Sequence, residues 1–339
     1  MADPGAQKST TVRAETDRRA ARLAARRRTA RRRRALARLA VVRARLAVLQ
    51  RVAPARAARS ALDLWCTPPD GAGRRRDDRH SPGRSATVTT GAGARVVVET
   101  WEPAPGAAPG GEPVGVVHLV HGWGGWRGQL GAFVEPLRAA GFRVVAADAP
   151  SHGDSGPGAL GARRSTLPEM ADALAAVARA HGEPSAVVAH SLGTAAAALA
   201  VRDGLAVGRL VLVAPIADPL GELDAFAEAL RLAPPTRDLL RARLAVAAGR
   251  PLGDMDVLDT ARGRPVPPAL VVHDRADKEV PYRVGAEIAA SWPEGELLTT
   301  EGLGHHRLLR DATVVRAVVD YLVPVAVPGA PESGVGDAA

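Results

Sequence analysis

The sequence predicts an α/β protein: a mostly parallel, eight-stranded sheet with helices on both faces and a helical cap inserted late in the chain. Three observations predict it. Short runs rich in Val, Leu and Ala alternate with stretches of helical periodicity, as in a chain that crosses over repeatedly between parallel strands. About 50 residues separate the run ending at Val213 from the one starting at Ala269, too many for a single crossover. Finally, Ala189, His190, Ser191, Leu192 and Gly193 sit between an apolar run and a helix of small residues, the setting of a sharp strand-to-helix turn.

The elements follow in order. Thr87–Thr90 and Arg95–Glu99, separated by Gly91–Ala94, form an antiparallel edge hairpin. Further strands are expected at Val114–Val120, Arg143–Ala147, Ala186–Ala189, Leu210–Val213, Ala269–His273 and Leu297–Thr300. Leu167–Ala180 is the clearest intervening helix, because Thr166 stands three residues before Glu169 and the pair can form a capping box. The long interval carries Phe226, Leu230, Leu239, Leu240 and Leu244 at helical spacing, divided by Pro234 and Pro235, and makes a cap over about 218–264. Phe226 and Leu230 are expected to line an apolar pocket there.

Charge sets the N-terminal part apart. The chain of 339 residues has a net charge of +9, but residues 1–64 hold 18 basic and 4 acidic side chains, a local balance of +14 that leaves −5 for the other 275. Residues 1–34 have too few large apolar side chains to offset chain entropy, so disorder or an induced helix is expected. From Ala35, Leu36, Leu39, Val42, Leu46 and Leu49 recur on one helical face flanked by Arg38, Arg45 and Arg51, and Pro54 ends or kinks that helix. A second helical pattern through Leu62 and Trp65 stops at Pro68 and Pro69. The chain thus divides into an arginine-rich arm over 1–69, a linker over 70–84, a domain over 85–323 and a flexible tail over 324–339.

The arm suits weak contact with an anionic membrane, although packing of its apolar face on the domain or on another copy accounts for the pattern more simply. No aromatic residue precedes Trp65, so base stacking is not provided for and no nucleic-acid partner is expected. The single cysteine, Cys66, cannot form an internal disulfide, and the N-terminus lacks the uninterrupted apolar segment of a signal peptide. With no run of about 18 uncharged apolar residues, a cytoplasmic protein is expected, with a peripheral position at the inner face of the membrane as the variant.

A serine hydroxyl is a poor nucleophile at neutral pH; it needs a base within hydrogen-bond reach and donors for the oxyanion that forms. The turn around Ser191 strains its backbone, so the positions two before and two after must be small, as Ala189 and Gly193 are. Val114–Val120 ends in His121, Gly122, Trp123, Gly124 and Gly125, a loop whose backbone can approach substrate closely. The amides of Trp123 and Leu192 are candidate oxyanion donors, with His121, Gly122 and His190 expected at the pocket wall. Asp274 and Asp277 follow one strand, and Gly302, Leu303, Gly304, His305 and His306 follow another. Serine, aspartate and histidine thus occur in that order, each just past the C-terminal end of a strand, where open α/β sheets bind ligands. No set of His, Cys and carboxylates has zinc-ligand spacing, so neither metal nor cofactor is expected.

On these motifs residues 86–323 resemble the α/β-hydrolase superfamily. In that family the segments matching His121–Gly125, Asp148–Gly156, Ala189–Gly193, Asp277–Pro281 and Gly302–His305 supply the oxyanion hole, a structural loop, the nucleophile elbow, the acid and the histidine. The sequence departs from the family at Ala189 and Ser151, where glycine is commoner. The resemblance implies Ser191 as nucleophile, His305 rather than His306 as general base, and Asp277, four residues before Pro281, rather than Asp274 as the acid that orients it. It implies a carboxylic-ester hydrolase acting on a small-molecule ester or acyl substrate, with thioesterase and acyltransferase chemistry open to the same site; a ligand-binding protein that kept the fold is the alternative from another class.

Overall fold

The computed structural model describes residues 29–30, 33–69, 81–262 and 265–323. Most of the segment expected to be disordered or inducible, most of the 70–84 linker, the end of the cap and the 324–339 tail lie outside the described residues.

Eight strands form one sheet in the order β1-β2-β4-β3-β5-β6-β7-β8. They are β1 Arg84–Thr89, β2 Arg95–Trp101, β3 Val116–Val120, β4 Arg143–Ala147, β5 Ala186–His190, β6 Arg209–Val213, β7 Ala269–Asp274 and β8 Gly295–Thr300. β1 pairs antiparallel with β2 and β2 antiparallel with β4; the pairs from β4 through β8 are parallel. The fold class is the expected one, an α/β-hydrolase fold. β1 starts three residues before the expected Thr87 and β8 two before Leu297. Those leading residues are largely exposed at the sheet edges, so no apolar alternation marks them.

The inner strands show why the sheet is covered on both sides. Successive side chains on a strand point to opposite faces. Val187, Ala189, Leu210, Leu212, Ala269 and Val271 join one buried cluster, while Val188, Val211, Val213, Leu270 and Val272 join another. The helices α3 (Val134–Ala139), α4 (Leu167–His181), α5 (Leu192–Arg202), α9 (Tyr282–Ser291) and, after the short α10 (Gly304–Arg307), α11 (Ala312–Leu322) close these cores. α4, α5 and α9 cover the first face and α3 and α11 the second. α4 starts with the expected capping box, Thr166 accepting from the Glu169 amide and Glu169 from the Thr166 amide at 2.8 Å. The interval after β6 is helical, with α6 Pro219–Ala229, α7 Pro234–Ala248 and the short α8 Val257–Thr260. Pro234 opens α7, where its missing N–H costs nothing.

Packing groups the chain into two units. The first takes the described residues up to Leu62 together with Asp224–Arg241; the second takes Asp63–Leu223 and the described residues from Ala242 onward. In the first unit, residues 33–52 form α1 and Pro54 starts α2 (Pro54–Trp65), so the helix breaks where proline was expected to break it. Leu46 is buried, Leu39, Val42 and Leu49 partly so, but Leu36 is exposed, which shortens the expected apolar face by a turn. Arg43 Nε donates to the Ala229 carbonyl at 2.6 Å, and Gln50 Oε1 accepts from the Ala233 amide at 2.7 Å. The units therefore cut across the arm and cap read from the sequence: the middle of the cap groups with the arm, and Asp63–Pro69 groups with the sheet. Two contacts account for the latter, Arg164 Nη1 to Asp63 Oδ1 at 2.5 Å and the Ser165 amide to the Cys66 carbonyl at 2.9 Å. No helix among the described residues is long and apolar enough to cross a membrane.

In the second unit one buried cation ties together the loops above the sheet. Arg127 is 5% exposed; its guanidinium reaches Glu99 Oε2 and Asp154 Oδ2, each at 3.0 Å, and Asp148 Oδ2. Its amide also donates to Asp148 Oδ1 at 2.6 Å. Removing the cation would leave the buried carboxylates of Glu99 and Asp148 without a countercharge, a loss of about 3–5 kcal/mol. Arg127→Gln should therefore lower the unfolding free energy in urea by that amount, whereas a change below about 1 kcal/mol would show that the network is not holding these loops.

Candidate active site

The site is built at the C-terminal ends of β3, β5, β7 and β8. β5 delivers His190 and Ser191, and α5 begins at the next residue. Ser191 has φ 53° and ψ −126°, a backbone that L residues rarely adopt, so its hydroxyl is held on a tight turn. The turn tolerates no bulk behind it: a Cβ on Gly193 would lie 2.5 Å from the His121 carbonyl oxygen. A Cβ on Gly122 would likewise meet Ser191 Cβ at 3.0 Å. Two glycines thus bring the loop after β3 and the turn after β5 backbone to backbone, while the buried methyl of Ala189, where the family prefers glycine, is accommodated.

Ser191 Oγ lies 3.0 Å from His305 Nε2, and His305 Nδ1 lies 2.8 Å from Asp277 Oδ2. A carboxylate only accepts, so Nδ1 carries the imidazole proton and Nε2 is the acceptor facing the serine hydroxyl. His305 and the Asp277 side chain are buried. Burial works to raise the Asp277 carboxyl, but donation from the Val280 amide, from His305 and from the Glu279 amide outweighs it and holds the carboxyl below its usual range. His306 is turned outward, 62% exposed, and pairs with Glu279 at 3.1 Å, so of the two adjacent histidines only His305 meets the serine.

Asp274 has a different task. Its Oδ2 accepts from Thr300 Oγ1 at 2.7 Å and from the Leu303 amide at 2.9 Å, and its Oδ1 accepts from the Ala276 amide. It thereby clamps the end of β7 to the loop that presents His305. Burial opposes ionisation, but the hydrogen bonds from Thr300, Gly304, Leu303 and Ala276 win and bring the carboxyl down to about 2.

The residues expected at the pocket wall divide. His121 is a brace: Nδ1–H donates to the Gly122 carbonyl at 2.8 Å and Nε2 accepts from the Ala149 amide at 3.0 Å. Burial pushes it down to about 4, so it stays neutral. His190 is also buried, and its Nε2–H donates to the His305 carbonyl at 3.0 Å. Burial, and then the charge that His305 would carry, lower it to about 3. These two histidines and Gly122 fix the backbone around the serine rather than line the adjoining cavity. Phe226 and Leu230 belong to the first unit, with Leu230 buried, and do not line it either.

Trp123 and Leu192 do line it. The cavity has a volume of about 190 Å³ and is walled chiefly by apolar residues such as Leu167, Ile216, Leu220 and Met255. Leu192 opens α5, so its N–H has no partner inside the helix. In the loop after β3 the turn bond runs from the Gly125 amide to the Gly122 carbonyl at 2.9 Å and leaves the Trp123 amide outside it. Leu244, one of the cap leucines at helical spacing, lines it too, as do Trp65, Cys66 and Ser165; sequence reading missed these last three, because nothing in their local pattern signals a return to the serine. The loop Asp148–Gly156 shows what its departure means: Ser151 holds φ 61°, the left-handed conformation for which glycine is the usual residue.

A largely parallel sheet with a serine on a strained turn after β5, an aspartate after β7 and a histidine after β8 defines a protein of the α/β-hydrolase class. Residues 119–317 match the model of the alpha/beta hydrolase family, and the chain belongs to that family. Among solved structures it is similar to a hydrolase from Pseudomonas aeruginosa, at 19% identity and TM-score 0.55, covering 72% of this chain and 100% of that one. A thermophilic esterase from Thermogutta terrifontis is 20% identical with TM-score 0.51, covering 71% and 98%. Est1E from Butyrivibrio proteoclasticus, seen with ferulic acid bound, is 17% identical with TM-score 0.53, covering 70% and 96%. At these identities the likeness is one of fold. No curated protein matches by sequence at a significant level.

The Asp274 clamp makes a pH prediction. A carboxyl whose folded value is depressed to about 2 adds stability that is complete above its unfolded value near 4 and fades as pH falls through the folded one. Asp274→Asn should therefore melt below the native chain at about pH 6, with the gap narrowing as pH falls from about 4 toward 2. A gap that stays constant through that window would contradict the clamp.

Proposed function

We propose that the protein is a serine hydrolase that cleaves ester bonds through an acyl-enzyme. The observation that carries this reading is His305, which contacts Ser191 Oγ through one ring nitrogen and Asp277 through the other. In the first half-reaction Ser191 Oγ bonds to the substrate carbonyl carbon while its proton passes to His305 Nε2. The carbonyl oxygen becomes an oxyanion that the Leu192 and Trp123 amides receive. Collapse of this intermediate breaks the carbon–oxygen bond to the alcohol, which leaves with the proton from His305. Water then repeats the sequence: it gives a proton to His305, bonds to the acyl carbon and frees Ser191, which recovers that proton as the acid departs. Asp277 holds the ring in the tautomer that can accept at Nε2 and stabilises its charge between the two transfers.

The reading gains support from the family, and from esterases among the structures of similar fold. The same acyl-enzyme would serve a thioester, or an alcohol in place of water, so the ester assignment rests on activity. With p-nitrophenyl butyrate the native chain should release p-nitrophenol continuously. Ser191→Ala should lose at least about 10³-fold in kcat while keeping the native melting profile, and Asp277→Asn should lose a comparable factor in kcat. Turnover that survives Ser191→Ala would remove the proposal, as would a native chain that binds the ester without cleaving it.

A further inference from the structure

The cavity lined by Trp123 and by Leu192, the residue after Ser191, is not made by the hydrolase domain alone. One side comes from Trp65 and Cys66, which precede the first strand and lie in a stretch that sequence reading gives to the arm. This segment is fastened at several points. Arg164 pairs with Asp63 at 2.5 Å and the Ser165 amide donates to the Cys66 carbonyl at 2.9 Å, while Thr67 Oγ1 ties the segment to itself by donating to the Asp63 carbonyl at 2.5 Å. Pro69 lies under the oxyanion loop so closely that a Cβ on Gly124 would come within 2.8 Å of its ring. The segment is thus a fixed wall rather than a passing tail.

The wall is chemically specific. Burial, with Glu169 and Asp63 nearby, pushes the Cys66 thiol up to about 12, so it meets the cavity as a small neutral group. Around it Leu167, Ile216, Leu220 and Met255 are apolar, and Glu222 is exposed. Two hydroxyl residues also line the cavity: Thr166 Oγ1 is engaged by Glu169, whereas Ser165 is fully buried and its hydroxyl has no hydrogen-bond partner among the described residues. A buried hydroxyl left unpaired is costly and uncommon, and a bound ligand that carries a polar atom would relieve it.

We infer that this cavity holds the acyl chain of the substrate, that Asp63–Pro69 is a built-in part of its wall, and that Ser165 receives one oxygen substituent, a hydroxyl or oxo group, on that chain. The inference rests on the serine-hydrolase reading. The acyl side is assigned because Leu192 and Trp123 flank both the oxyanion position and the cavity, and the acyl group is the part that stays attached to Ser191 while the alcohol must leave. An apolar cavity of about 150 Å³ accommodates benzene, so the volume here suits an acyl group of roughly six to eight carbons.

The test is a chain-length series of p-nitrophenyl esters from acetyl to dodecanoyl, read as kcat/KM on the full chain, with Ser191 acylation followed in parallel by intact-protein mass spectrometry. The native profile should peak near hexanoyl to octanoyl and fall at least tenfold by dodecanoyl. Trp65→Ala should move the peak to longer chains and Cys66→Leu to shorter ones. A panel of hydroxy- and oxo-octanoyl esters should contain at least one isomer preferred over octanoyl, and Ser165→Ala should reduce that preference at least fivefold. A flat native profile with Ser191 still acylated, or a profile that neither wall variant moves, would overturn the acyl-subsite assignment and leave the hydrolase reading standing. The absence of any preferred isomer would overturn the role of Ser165, and failure of every ester to acylate Ser191 would take down both readings.

Discussion

Two backbones have to touch for this site to exist. The turn after β5 can carry Ser191 at φ 53° only while the loop after β3 lies directly against it, and that approach leaves no room for a side chain at Gly193, whose Cβ would stand 2.5 Å from the His121 carbonyl. The backbone groups on this side of the serine follow from the contact. It sets the Leu192 amide at the head of α5 beside the Trp123 loop, and it fixes the tautomer of His121, which can brace the loop only while neutral. Arg127, just beyond the same loop, is tied to Asp148 and Glu99.

The second half of the site is held by a different device. Asp277 and His305 come from loops that follow β7 and β8, so their distance is set by how those strand ends are tied. Asp274 does the tying, with Thr300 and the Leu303 amide on one carboxylate oxygen. His190 links the two halves, donating from the serine turn to the His305 carbonyl. One carboxylate orients the ring and another three residues earlier positions its loop, and in both the donated hydrogen bonds outweigh the burial that opposes ionisation.

Much of this was legible in the sequence because it is local. Strand ends, the small residues at 189 and 193, the capping box at Thr166 and the order Ser191, Asp277, His305 all leave their mark within a few residues. What stayed hidden depends on chain returns. The apolar spacing of Phe226 and Leu230 announces a buried helix face but cannot say what it is buried against. Trp65 and Cys66 reach the cavity through Arg164 and Ser165, about a hundred residues away in sequence, and carry no motif of their own. Arg127 is hidden for another reason, since in a chain so rich in arginine one buried guanidinium has no compositional contrast.

The proposed chemistry turns on the activation of one hydroxyl by one imidazole. The most direct test is to treat the full chain with a fluorophosphonate, digest it and locate the adduct by mass spectrometry. A single phosphonyl group on Ser191, absent after His305→Ala or after prior denaturation, is the expected result. Labelling elsewhere with Ser191 unmodified, or labelling of Ser191 that persists unchanged without the imidazole, would contradict it.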